Sequence, residues 1–388
     1  MRYSRQLFQA SLRQVKNFND LPARIFAENG NFVVFKDPGL PFFMPLGKRI
    51  MERLTGLFHD MARQLGLDVI EVPLLMRNDL LRMGQHVGNI FARKILNLSE
   101  PLDKYHLLTT PEMLLINLAS DLQISYRQLP IRFLYQTEFF RGIPHCAGLQ
   151  KSRQFKCVVG TSFDADSSSL AESLKIYERL MDMLCAAIDL PIFKRHGHSG
   201  LAFQHFYLGG VGDNLELPEV NSNQRVRALE LAMAYHYKPT NLPPRFRTNR
   251  NTNSRVLVGT FGLGLSRLLL AIFDHHRDSL GFKFPVTLRP VTLTVIPSTN
   301  SDMENSLRIY TRLVEQRLSV AIDDRINIGA GSRAALSDQI GAPIKLIIKK
   351  GALLLCPRGI LDMKPIAEAQ CTADFFETQV NSNSQQRV

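Results

Sequence analysis

Between Val256 and Phe273 an apolar strand pattern runs through three glycines straight into an apolar helix pattern. Val256-Leu257-Val258-Gly259 reads as a strand, Phe261-Gly262-Leu263-Gly264-Leu265-Ser266-Arg267 follows, and residues 268–273 read as a helix. A strand and a helix that are both apolar need burial in one core. A Gly-x-Gly at such a junction lets the helix pack tightly on its strand and alone says no more. The third glycine and later acid of a dinucleotide site are missing, as is the Gly-Lys-Ser/Thr of a P-loop. What remains is Arg267 in the first turn of a helix. A guanidinium there reaches a bound phosphate, and Gly262 and Gly264 let a nucleotide approach the backbone.

The chain has 388 residues, 45% hydrophobic and 21% charged, enough for two or three domains with real cores. No apolar run approaches the ~20 residues of a membrane span. The net charge of +12 suits a partner rich in phosphate, and it is uneven. Residues 289–388 carry a net +2 and residues 1–288 a net +10. The five cysteines form no Cys-x-x-Cys pair, which points to free thiols in a reducing cytoplasm rather than to a disulfide scaffold or structural zinc. The start of the chain holds Arg2, Arg5, Arg13 and Lys16 and no acid. It reads either as a transit-peptide mimic or as an ordinary first helix, and the second is preferred.

Helical spacing covers residues 50–67, with Gly66 as C-cap, and residues 69–72 read as a strand ending at Pro73. Residues 112–122 form a helix candidate. Residues 133–140 and 154–160 read as antiparallel partners, and 166–188 as a long amphipathic helix with Asp164, Asp166 and Ser167 as caps. Residues 238–255 hold five basic residues and no acid, a loop that is either merely solvated or in contact with phosphate. After Pro285 and Pro290 a strand (291–296), helix (302–317), strand (320–323), helix (332–340) and strand (344–348) make an α/β module. The tail 381–388 is polar and expected to be disordered.

Two further constellations carry possible chemistry. Phe140-Arg141 ends one strand and Arg153-Gln154-Phe155 opens the returning one, placing arginine for phosphate beside phenylalanine for a flat ring. Thr110-Pro111-Glu112 opens a helix, where the plain reading is a cap.

In chain order, residues 45–73, 133–163 and 256–273 resemble motifs 1, 2 and 3 of class II aminoacyl-tRNA synthetases, and the chain resembles the prolyl-tRNA synthetases of bacteria and mitochondria. The likeness runs from Met1-Arg2-Tyr3-Ser4 through Pro45-Leu46-Gly47, Ser125-Tyr126-Arg127-Gln128-Leu129-Pro130 and Leu134-Tyr135-Gln136 to Asp323-Asp324-Arg325, Gly341-Ala342-Pro343 and Lys349-Lys350. The resemblance implies an α+β fold. Residues 1–288 would be a catalytic domain with an antiparallel sheet flanked by helices, and 289–380 an α/β anticodon-binding-type domain. It implies a homodimer built through motif 1, with ATP, Mg²⁺, proline and tRNA as cofactors and partners, and neither DNA nor membrane.

It also implies roles. Arg141 would hold the α-phosphate, Phe155 would stack on adenine with Arg153 beside it, and Arg267 would clamp the distal phosphates above Gly262 and Gly264. Thr110 and Glu112 match the Thr-x-Glu that binds the substrate's imino group. His205 and Phe206 match a Gly-x-x-Phe-x-Leu-Gly strand shaping the proline pocket, under one of two alignments. Glu216 and Glu219 are candidate Mg²⁺ ligands or plain loop carboxylates, and Asp324, Arg325 and Lys350 would meet tRNA.

The departures lie in motif 2. Arg-x-Glu is here Arg141-Gly142-Ile143, the arginine-rich loop is Pro144-His145-Cys146-Ala147, Arg-Glu-Phe is Arg153-Gln154-Phe155, and Lys-Asp is Val158-Val159. About 100 residues separate Phe155 from Val256, too few for an editing domain. Two functions stay open: a cytoplasmic proline–tRNA ligase without editing, or a synthetase-derived paralogue that loads another acceptor or binds tRNA or protein without catalysis.

Overall fold

The computed structural model describes residues 1–3, 32–83, 95–215, 226–238, 244–360 and 362–385. Arg5, Arg13, Lys16, Glu216 and Glu219 lie outside the described residues. The chain divides into two compact units. One comprises Phe35–Pro41 and Leu54–Asp274, the other Met1–Val34, Phe42–Arg53 and His275–Val388.

The 35–41 and 54–274 unit is built on a seven-stranded sheet. Along the chain its strands are β1 (Asp68–Val69), β2 (Ile131–Phe140), β3 (Gln154–Asp164), β4 (Phe193–His196), β5 (Phe203–Leu215), β6 (Val226–Tyr237) and β7 (Leu257–Gly264). They lie in the order β1-β2-β3-β7-β6-β5-β4. Only the short β1–β2 edge is parallel, so the expected antiparallel sheet is present. Strand β1 is shorter than residues 69–72, and the sheet gains β4 and β6, while β5 covers the segment matched to a strand through His205 and Phe206. Strand β7 runs through the glycines expected to follow it. It pairs as far as Gly264 with Cys157, and helix α4 below starts only at the next residue.

Four helices matter here: α1 (Pro45–Gln64), α2 (Glu112–Ser120), α3 (Ser167–Ala187) and α4 (Leu265–His275). Helix α1 ends before Gly66, whose φ of +65° is a left-handed conformation that glycine adopts without strain. Helix α3 is capped by Asp166, whose side chain accepts from Ser169 N at 2.8 Å. Its buried stripe, Leu170, Leu174, Tyr177, Met181 and Leu184, follows helical spacing and covers one face of the sheet. Tyr177 stacks on Phe261 at 5.7 Å, and its hydroxyl donates to Phe133 O at 3.0 Å.

A Cβ on Gly160 would stand 2.4 Å from that ring. Tyr177 is fixed by stack and hydrogen bond and has nowhere to go. Gly160→Ala is therefore expected to destabilise by about 1–3 kcal/mol, the range of core overpacking. Urea denaturation measures it, and an unchanged midpoint would contradict the contact.

The opposite face is partly covered by Leu108, Met113 and Ile116, packed on Tyr135, Val159 and Val258. The basic stretch 238–255 is not wholly loop. Arg245–Arg247 pairs with Asn253–Arg255 as a small hairpin whose Phe246 is buried, while 239–243 lie outside the described residues.

The other unit contains a five-stranded sheet of β8 (Leu293–Pro297), β9 (Val320–Ile322), β10 (Ile344–Lys349), β11 (Ala352–Pro357) and β12 (Lys364–Ile366). Its order is β9-β8-β10-β11-β12. The first three are parallel and the rest antiparallel. Helices α5 (Met303–Glu315) and α6 (Ala330–Gln339) make the crossovers of the expected α/β module, and α7 is Ala373–Gln385. Helix α7 continues into the polar stretch read as a tail, of which 386–388 lie outside the described residues. Arg333 of α6 is 1% exposed and satisfied by carbonyls: Nε by Ile328 O at 2.9 Å, Nη1 by Asp323 O at 2.6 Å and Nη2 by Pro297 O at 2.8 Å. Among the described residues no helix is long and apolar enough to cross a membrane.

Candidate active site

Strands β2, β3, β7 and β6 share one face, away from α3, on which the site residues gather. Directly opposed residues of an antiparallel pair point to the same side. The pairs Phe139–Phe155, Cys157–Gly264, Val159–Gly262 and Tyr235–Thr260 therefore place Phe155, Cys157, Gly262, Gly264 and Tyr235 together.

The loop before α2 brings Thr110 and Glu112 to this face. Leu108 O accepts from Phe140 N at 2.8 Å, and Thr109 Oγ1 donates to Phe140 O at 3.2 Å. Both bonds tie the loop to the end of β2, next to Arg141. Thr110 is not a helix cap. The N-cap is Pro111, with no side-chain cap bond, and Thr110 Oγ1 donates to Glu112 Oε2 instead. The other carboxylate oxygen, Oε1, accepts from Tyr235 OH at 3.1 Å. Glu112 is 7% exposed. A carboxylate buried between two neutral hydroxyls is poised for a cation.

Arg141 supplies part of the positive field. Its Cζ stands 5.0 Å from the Phe155 ring centroid and 5.8 Å from Phe139. Burial pulls its guanidinium below the ordinary range, and Arg267 pushes the same way while Cys157, Glu112 and Tyr235 oppose. Burial likewise pushes the Cys157 thiol up to about 12, against Arg141 and Arg267, and raises the Tyr235 phenol, with Glu112 adding to it. These groups sit in one electrostatic neighbourhood.

Arg267 lies in the first turn of α4. Its Nε donates to Gln150 O at 3.2 Å and its Nη1 to Glu230 O at 3.1 Å, with Glu230 Oε2 at 3.9 Å. The side chain is 40% exposed. Between the arginines the sheet floor is open. A Cβ on Gly262 would meet nothing within 4 Å, and one on Gly264 nothing nearer than the Arg267 side chain at 3.8 Å. Thr110, Glu112, Arg141, Phe155, Gly262, Gly264 and Arg267 thus come together on one face.

Other expected residues are placed elsewhere. Arg153 spans two loop carbonyls, with Nε on Ile143 O at 3.2 Å and Nη1 on Pro38 O at 2.9 Å. His205 does not reach the site. It is fully buried on the other face, 3.7 Å from Glu178 of α3 and stacked on Phe203, and burial lowers its imidazole to about 4. Phe206 packs in a small cluster with Ala228 under the Arg195 guanidinium, 5.1 Å away. Alternation along β5 puts the two on opposite faces, with Phe206 opposing Glu230 on the side of Gln204.

Asp324 and Arg325 are likewise not presented to a partner. Arg325 is bonded to both carboxylate oxygens of Asp323 at 2.8 and 2.6 Å and lies over the Tyr3 ring, and Asp324 accepts from Arg2. Asp323 and Arg325 pair with each other inside the unit, and Asp324 is paired with Arg2. Lys350 is exposed, on a turn with φ of +52°. Glu216 and Glu219 remain outside the described residues, among which no group of three metal-ligating side chains occurs.

The residues missed by sequence reasoning are Tyr235 and Glu230, both on β6. Ala232-Met233-Ala234-Tyr235-His236-Tyr237-Lys238 keeps the aromatic–x–apolar spacing of the Gly-x-x-Phe-x-Leu-Gly strand, with both glycines replaced. That spacing was the available signal.

No family model matches the chain. It is 24% identical over 361 residues to "Probable proline--tRNA ligase, mitochondrial" of Rattus norvegicus, covering 81% of this chain and 75% of that protein. It is 22% identical over 355 residues to the protein of the same name from Schizosaccharomyces pombe, covering 80% and 82%. Among solved structures, the Giardia lamblia prolyl-tRNA synthetase in complex with prolyl-adenylate superposes with a TM-score of 0.74 at 15% identity, covering 96% of this chain and 83% of that one. The chain therefore has the α+β fold of the prolyl-tRNA synthetases and resembles proline–tRNA ligases in sequence over four fifths of its length.

Proposed function

We propose that this chain is a proline–tRNA ligase-type enzyme. It activates proline with ATP to the aminoacyl-adenylate and transfers it to tRNA. The observation that carries this reading is the buried Glu112 carboxylate, held by Thr110 and Tyr235 beside Arg141 and Arg267 on an open glycine floor. Glu112 would take the charged imino nitrogen. That contact sets the substrate carboxylate towards the arginines for in-line attack on the α-phosphorus. Arg141 would stabilise the charge growing on the α-phosphate, and Arg267 would hold the distal phosphates.

Mg²⁺ would neutralise the phosphates when bound. Among the described residues Glu230 is the carboxylate beside Arg267, and one carboxylate plus substrate phosphates fits the way Mg²⁺ is usually held. Exposed Lys350, Arg245 and Arg247 are available to tRNA. Exposed Val69, Leu74, Leu118 and Leu122 favour a homodimer, and a monomer in sedimentation would count against it. Relatives named as mitochondrial make an organelle the alternative to the cytoplasm, and cell fractionation separates the two.

The test is ATP–pyrophosphate exchange with a panel of amino acids. Exchange with proline above the others supports the reading, and none with any amino acid overturns it. The second reading rests on the altered motif 2, in which Arg153 is turned onto loop carbonyls. Exchange with proline but no charging of tRNA would select it.

A further inference from the structure

Residues 142–152, which stand where the family has an arginine-rich loop, are held from two sides through one residue. The Gln150 carbonyl accepts from Arg267 Nε at 3.2 Å, and its side-chain Nε2 donates to Asp213 Oδ1 at 3.0 Å. Asp213 ends a lip, residues 209–212, where the pairing of β5 with β6 breaks and Leu208 and Asp213 both oppose Ala228. The lip is sterically defined. Gly212 has φ of +105°, and a Cβ there would stand 2.4 Å from Ala228 O. Asp274 Oδ2 accepts from Gly210 N at 2.8 Å and from Tyr207 OH at 2.9 Å.

Asp274 lies on α4, seven residues after Arg267 and so on a neighbouring part of the same helix face. The chain of contacts leaves α4 at Asp274, passes through the lip to Asp213 and Gln150, and returns to α4 at Arg267. Arg267 has a long side chain with many rotamers, and a guanidinium already aimed at a phosphate loses less freedom when ATP binds. The circuit anchors Nε through Gln150 O, while Nη1 rests on Glu230 O of β6.

We propose that Gln150 and Asp213 are positioning residues that latch the 142–152 loop against Arg267 and so preset its guanidinium for the distal phosphates of ATP. The proposal rests on the ligase reading of the site. Asp213 is exposed and touches none of the reacting groups, so its effect passes through Gln150.

The experiment uses the purified full chain as wild type, Asp213→Ala, Asp213→Asn, Gln150→Ala and the double alanine variant. The first readout needs no reaction. Amide hydrogen exchange across 142–152 is expected to speed up about fivefold in Asp213→Ala, the size of one exposed hydrogen bond to a charged group, and to stay at the wild-type rate in Asp213→Asn, whose amide oxygen still accepts. The second readout is pyrophosphate exchange. KM for ATP is expected to rise about fivefold in either alanine variant while KM for proline stays within twofold, and the double variant to be no worse than the single ones. Equal changes in both KM values, additive single effects, or no rescue by Asp213→Asn would overturn the latch. Absence of exchange in the wild type would fail the ligase reading instead. The hydrogen-exchange arm then still decides the latch, since an unchanged loop overturns it and an accelerated one supports it.

Discussion

Replacing Glu112 with alanine is expected to raise the KM for proline in pyrophosphate exchange by on the order of 10²–10³-fold, the effect of truncating one member of a buried charge pair. The reason is geometric. Thr110 and Tyr235 each hold one oxygen of the carboxylate, so its position is fixed before substrate arrives. With the carboxylate gone, a charged imino nitrogen would enter a buried place lined by hydroxyls and near two arginines, which disfavours it. Glu112→Gln separates charge from shape. It keeps an acceptor for Tyr235 and is expected to lose nearly as much, because the imino group needs the negative charge. Unchanged proline KM in both variants would remove Glu112 from the amino-acid site.

The second large effect is expected at Arg267. Arg267→Ala should lower kcat for exchange by on the order of 10²–10³-fold, as for other donors that stabilise charge formed in the transition state. Its side chain is 40% exposed and bonded to two backbone carbonyls, so the cost in stability should stay near about 1 kcal/mol. Arg267→Lys should not restore the rate. A lysine cannot satisfy the Gln150 and Glu230 carbonyls with fixed N–H vectors and also present a fork to phosphate. Wild-type kcat in Arg267→Ala would mean that the arginine braces the loop and does nothing for ATP.

Much of this was legible in the sequence. The β2–β3 hairpin announced itself through aromatic residues on both arms, and α3 through its stripe and cap. Thr110, Glu112, Arg141, Phe155 and Arg267 were each ordinary alone, and only their order pointed to one site. The region between α3 and β7 was opaque for physical reasons. Strand β5 is interrupted by three glycines and two register shifts, and β6 mixes Ala, Glu, Met and His where clean alternation would mark a strand. Tyr235 could not be tied to Glu112 by local pattern, since 123 residues separate them and the sheet joins them. His205 falls on the α3 side by plain alternation with Phe203, and a single strand's pattern does not say which side faces the site. The tRNA role of Asp324 and Arg325 comes from the resemblance alone, and no local pattern shows that Arg325 is buried against Asp323.

Gly262 and Gly264 have a consequence beyond access to the backbone. The space above them is defined by side chains that do not exist: nothing stands within 4 Å at Gly262, and only the Arg267 side chain borders it at Gly264. At Gly160 an added methyl would break a packed interface. At Gly262 it would spend only empty volume. On the ligase reading, ligand size and thermal robustness would therefore be set by different glycines of the same sheet. Selection, or a chemist fitting an altered nucleotide, could reshape the room at one without loosening the walls at the other.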